Sequence, residues 1–131
     1  MAATPRYGDV THWVLRGTVA LAFMAHAVVR LVNGSVPQFG AFLEGQGFPA
    51  GVPLVLAIST FEIAAGTALL LGLAVRAVAA GLAVIVVVGI VLVHAGNGWF
   101  VGEHGVGGME YSVLLLAALA VLAAGPPAGS G

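Results

Sequence analysis

Four long apolar runs, separated by clusters of Gly, Pro and charge, restrict this chain more than any other feature. They fall at about 12–32, 55–73, 77–95 and 109–124. A helix rising 1.5 Å per residue needs roughly 20 apolar residues to cross the hydrocarbon core, so each run is near the length of one span. In 131 residues there is room for four such spans and short connections. The composition agrees: 7% of residues are charged and 60% hydrophobic, with a mean hydropathy of +1.11. Soluble domains carry about a quarter of their residues as charge, so the solvent for most of this chain is lipid.

Several functions are excluded at this level. A net charge of -1 with four basic residues supplies no clustered basic footprint for nucleic acid. The absence of cysteine removes thiol relays, disulfide generation, iron–sulfur clusters and thiolate metal sites. Arg16 ahead of an apolar stretch gives the first run a weak likeness to a signal peptide. His26 and Arg30 fit such a segment poorly, however, and further spans follow it.

The connections also carry information. Residues 33–53 form a long first loop with breakers at Pro37, Pro49 and Pro53. Inside it Phe39, Phe42 and Leu43 recur at helical spacing beside Gln38, Glu44 and Gln46, which predicts a short helix lying in the membrane interface. Between the second and third runs only a tight turn with Arg76 is available, so those spans make an antiparallel hairpin. The glycine-rich segment 96–108 holds Trp99, Phe100, Glu103 and His104, with aromatics suited to the headgroup level. Gly125, Pro126 and Pro127 end the fourth run. The expected fold is all-α: an integral membrane four-helix up-down bundle with a short interfacial helix in the first outer loop.

Orientation follows from arginine placement, since cytoplasmic flanks carry the excess of Lys and Arg. With both termini inside, Arg6, Arg16 and Arg76 are cytoplasmic and Arg30 alone is at the outer end. The expected location is a bacterial inner (plasma) membrane, crossed several times, with both termini cytoplasmic.

In that arrangement the polar residues gather in the outer half. His26 and Arg30 are one turn apart on the first span, and Ser59, Glu62 and Gly66 share a face of the second. His94 closes the third span and Glu110 opens the fourth. A carboxylate inside a bilayer costs roughly 2.5–3.5 kcal/mol on insertion scales, so Glu62 is expected to face a partner or a polar cavity. Arg30, which cannot shed its proton, is the expected neutraliser of Glu62 or Glu110. Two histidines nearby can exchange protons near neutral pH. The ligand- or proton-handling candidates are therefore His26, Arg30, Glu62, His94 and Glu110, with Phe39, Phe42 and Trp99 at the mouth of the pocket. No catalytic residue is assigned.

A structural reading stands beside this one. Polar side chains in membrane bundles also link helices, at about 0.6 kcal/mol per interaction. Ser59 is expected to bond back to a preceding helical carbonyl, and Arg16 to extend toward the interface. Isolated histidines on separate segments, even counting His104 with Glu103, make a weak metal signal, and haem between His26 and His94 is weaker still, so no metal is assigned. Small residues four apart, Ala77 with Gly81, Ala79 with Ala83 and Ala120 with Ala124, allow close helix packing or a homo-oligomer interface.

The ordered set of features resembles the DoxX family of small four-helix bacterial membrane proteins. It comprises Arg16; His26 to Arg30; Phe42, Gly47 and Pro49; Glu62 with the helix ending Leu71, Gly72 and Leu73 before Arg76; His94; Gly108 and Glu110; and Gly125-Pro126. Ala27 and Arg30 stand where the family commonly has glycine and lysine, and the tail lacks the acidic ending often seen. The resemblance implies quinone-linked redox chemistry at the membrane, with this chain as a small subunit or accessory and not a complete enzyme. No intrinsic cofactor is expected; a bound quinone is the candidate ligand. The alternative is a non-catalytic structural or assembly subunit that docks a larger membrane or extracytoplasmic partner through its outer loops. The first reading predicts a fissure open to lipid, the second a filled core.

Overall fold

The computed structural model describes residues 7–102 and 107–125. Pro5, Arg6, Glu103, His104, Pro126 and Pro127, which entered the sequence reading, lie outside the described residues. Among the described residues five α-helices follow in order: α1 (Tyr7–Val32), α2 (Val36–Gly45), α3 (Gly51–Leu71), α4 (Val75–Gly89) and α5 (Glu110–Ala124). One π-helical turn (Ile90–His94) and a 3-10 turn (Ala95–Asn97) continue α4 without a break. Among the described residues, three helical stretches are long and apolar enough to cross a membrane: Asp9–Val32, Gly51–Leu71 and Val75–Asn97. The apolar α5 is shorter, at 15 residues. The protein is an all-helical membrane bundle.

Its outside is apolar. Trp13, Leu21, Val32, Leu71, Val84, Val91 and Leu114 are all exposed, an arrangement suited to lipid and costly in water. The polar ends mark the bundle's two rims. The first helix starts at Tyr7, earlier than the expected residue 12, because Asp9 in its first turn favours the positive end of the helix dipole. The third helix starts at Gly51 and takes in Pro53, which the sequence reading left in the loop. In the first turn the missing N–H of proline has no intrahelical partner to lose.

Helix ends follow local chemistry. Gly72, at φ 74°, ends α3 in the left-handed conformation, and the Leu73 N–H reaches back to the Ala68 carbonyl at 2.8 Å. Gly34, at φ 67°, does the same after α1, where the Ser35 N–H and hydroxyl both donate to the Arg30 carbonyl, each at 3.2 Å. At the opposite rim Arg76 Nε donates to the Ala123 carbonyl at 3.1 Å, and Arg16 lies beside the α3 terminus at Gly72. Both cations therefore stand at the negative ends of helix dipoles.

α1 packs along α3 and α4 along α5, and the two pairs close around a buried core in the half of the bundle where α1 begins and α5 ends. There Val19, Ala20, Phe23, Ala65, Leu69, Ala79, Leu82, Val86, Leu119 and Leu122 form one buried core. Gly66 lets α1 approach: a Cβ there would collide with the Met24 side chain. Gly81 of α4 likewise receives the Phe61 ring of α3. The other half is built differently. α2 folds back on the start of α3, with Val36 and Leu43 buried against Val55 and flanked by Phe39, Ile58 and Leu92. Gly40 and Gly51 meet backbone to backbone at this crossing. Glu44 completes the join by accepting the Gly51 N–H at 2.9 Å, an end-capping role that its place on the polar side of α2 did not suggest.

Candidate functional site

Between the buried core and α2 the bundle is not filled. A cavity of about 930 Å³ lies there, lined by residues from all five helices. Phe23 and Val86 of the core make its floor, and Phe39, Leu43 and Phe48 close it from the loop side. Val29, Val84, Val88 and Tyr111 line it and are themselves exposed, so it opens through the side of the bundle. A smaller hollow of about 460 Å³ at Asp9, Val10, Trp13 and Val14, at the other rim, holds none of the site candidates.

Four polar candidates converge on the large cavity: His26, Arg30, Glu62 and His94. Arg30, near the end of α1, extends to α3, where Nη1 donates to the Ser59 hydroxyl at 2.8 Å and lies 3.4 Å from the Glu62 carboxylate. Ser59 and Glu62 are 1% and 3% exposed, so this is a desolvated network in which the arginine balances the carboxylate. Phe39 covers the guanidinium, with its ring centroid 5.4 Å from Cζ. Ser59 thus accepts from Arg30 instead of bonding back within its helix. That back-bond is made by Thr67, one face away, to the Ile63 carbonyl at 2.9 Å.

His94 reaches the cavity because α4 changes pitch. In an α-helix of 3.6 residues per turn, positions five apart are separated by about 140° around the axis. The π turn, in which the Ala95 N–H bonds the Ile90 carbonyl five residues back, narrows that angle between Gly89 and His94, and both line the cavity. His94 Nδ1 lies 3.2 Å from the Gly107 carbonyl, which also accepts from Asn97 Nδ2 at 3.4 Å. His26 lines the α1 side of the same space. Among the described residues no group of three His, Asp or Glu side chains is placed to hold a metal ion.

The remaining candidates sit elsewhere. Glu110 accepts the Val101 N–H at 2.9 Å, while its own N–H bonds the Trp99 carbonyl, so it ties the loop to the start of α5 and does not line the cavity. Trp99 is exposed on that loop, away from the cavity wall. Phe42 stands behind Phe39, the two rings stacked with centroids 6.2 Å apart, and supports the closing ring without lining the space.

The DoxX family model matches residues 12–95. The chain belongs to the DoxX family. The match spans α1 to the end of the π turn and so includes His26, Arg30, Glu62 and His94; α5 and Glu110 lie beyond it. Comparison with curated proteins and with solved structures gave no match. In this DoxX protein the arrangement can hold a largely apolar molecule and present it with a guanidinium, a carboxylate and two imidazoles on the wall.

Proposed function

We propose that this protein is a small subunit or accessory of a quinone-linked membrane redox system, and that the cavity in the outer half of the bundle binds a quinone. The observation that carries the reading is the cavity itself: about 930 Å³, open to the side and mainly apolar, with Arg30, Glu62, His26 and His94 on its wall. Its size falls in the range of small-molecule sites, and its lining has their usual character, apolar with few convergent polar groups. A quinone dissolved in the bilayer would enter laterally, its ring oxygens accepting from Arg30 and its tail lying along the valines at the opening. Interconversion of quinone and hydroquinone moves two electrons and two protons; the electrons pass to or from a partner oxidoreductase subunit, and the histidines are suited to exchange the protons.

The location proposed with it is a bacterial inner membrane with both termini in the cytoplasm. Arg16 and Arg76 both stand at the rim where α3 and α5 end, and the positive-inside rule supports that orientation.

A second reading has its own support. The Arg30, Ser59 and Glu62 network is internally satisfied, as expected if it only fastens α1 to α3 in a structural or assembly subunit that docks a larger partner. The two readings separate on quinone co-purification and titration with the wild type and Glu62→Gln in detergent. Quinone bound stoichiometrically by the wild type and lost in a folded Glu62→Gln supports the redox reading. No quinone in either, with Glu62→Gln only less stable, supports the structural one.

A further inference from the structure

The hydrogen bond at His94 determines more than its position. A carbonyl oxygen can only accept, so the contact between Nδ1 and the Gly107 carbonyl places a proton on Nδ1. In the neutral ring Nε2 is then a bare acceptor, and it has no partner among the described residues. Asn97, donating to the same carbonyl and to the Val93 carbonyl at 3.3 Å, holds that acceptor in place from the following turn. Arg30, which lines the same cavity, offers the opposite character: a guanidinium is a donor at every nitrogen and never an acceptor. The lining therefore includes a donor on α1 and a ring with an acceptor nitrogen at the end of α4.

We infer that His94 Nε2 is a built-in hydrogen-bond acceptor that makes the cavity select ligands carrying an aromatic hydroxyl, and so favour a hydroquinone over the quinone. A quinone has only acceptor oxygens: it can satisfy Arg30 but leaves Nε2 unmatched. A hydroquinone or phenol can donate its O–H to Nε2. Asn97 is a positioning residue, acting through the Gly107 carbonyl. The inference deepens the quinone-binding reading and rests on it for the natural ligand, but the acceptor can be tested without any quinone.

The probes are 4-heptylphenol and 4-heptylanisole, equal in ring and tail and different only in the O–H, titrated against the full-length protein in detergent. The phenol is expected to bind roughly two- to tenfold more tightly, the worth of one hydrogen bond. His94→Phe should abolish that difference, and His12→Phe, at a histidine that does not line the cavity, should keep it. Equal binding of the two probes, binding of neither, or a difference that survives His94→Phe overturns the inference. In parallel, nitrogen-15 NMR of histidine-labelled wild type at alkaline pH reads the tautomer directly, and a proton on Nε2 of His94 would also overturn it. Should the phenol discriminate while no quinone binds, the acceptor stands and the redox reading fails.

Discussion

Arg30 lies closer to the neutral hydroxyl of Ser59, at 2.8 Å, than to the carboxylate of Glu62, at 3.4 Å. The cation is thus shared between two acceptors one turn apart on α3, and α1 is fastened to α3 at the wall of the cavity. Removing the cation alone strands a carboxylate that is 3% exposed. Arg30→Met is expected to cost about 3–5 kcal/mol, whereas Arg30→Met with Glu62→Leu recovers most of the loss. Unfolding midpoints in detergent measure both, and a double variant no better than the single one would show that the two groups are not coupled.

Gly51 and Gly40 make a tighter contact than any other side chain could allow. A Cβ at Gly51 would fall on the Gly40 carbonyl, and one at Gly40 would lie 2.8 Å from the Val52 nitrogen. Gly51→Ala should therefore push α2 off α3 at about 1–3 kcal/mol. Amide exchange in Val36–Gly45 should accelerate while the core around Leu69 and Leu82 stays protected. Gly45→Ala, where a Cβ meets nothing within 4 Å, is the control and should leave exchange unchanged.

Ala74 holds the hairpin between α3 and α4 at φ 47°, a left-handed conformation without glycine's freedom. An L-residue there costs roughly 1–2 kcal/mol, partly offset by the greater chain entropy that glycine loses on folding. Ala74→Gly should raise the unfolding midpoint, by up to about 1 kcal/mol of stability. A lowered midpoint would mean that the turn draws on the Ala74 methyl group for packing.

Glu110 separates loop order from ligand binding. Glu110→Ala removes the acceptor of the Val101 N–H and should cost about 1 kcal/mol, seen as faster exchange at that amide. The quinone titration that reports on Glu62→Gln should not change, since Glu110 does not line the cavity. A weakened titration would place the loop in the binding site.

The four apolar runs and the short helix in the first loop were readable because hydropathy and breaker spacing belong to one segment at a time. Arg30 and Glu62 could be singled out for the same reason: a charge inside an apolar run needs a partner wherever it goes. Their actual geometry could not. Ser59 became the arginine's nearest acceptor, and Glu44 and Glu110 were taken by backbone N–H groups of Gly51 and Val101. Such choices depend on which atoms the fold brings within hydrogen-bonding distance.

What the sequence by itself determined is the solvent of the fold, the presence of its four long apolar helices though not where they start, and the half of the bundle where polar groups collect. Only the tertiary structure decided that this half is hollow. The π turn that ends at His94 leaves no hydropathy signal, since it changes the phase of a helix and not its composition. The cavity exists because α1 and α3 on one side, and α4 and α5 on the other, close around the core at Phe23 and Val86 but not beyond it. Space between helices is set by how faces from distant segments meet, and no single segment carries that information.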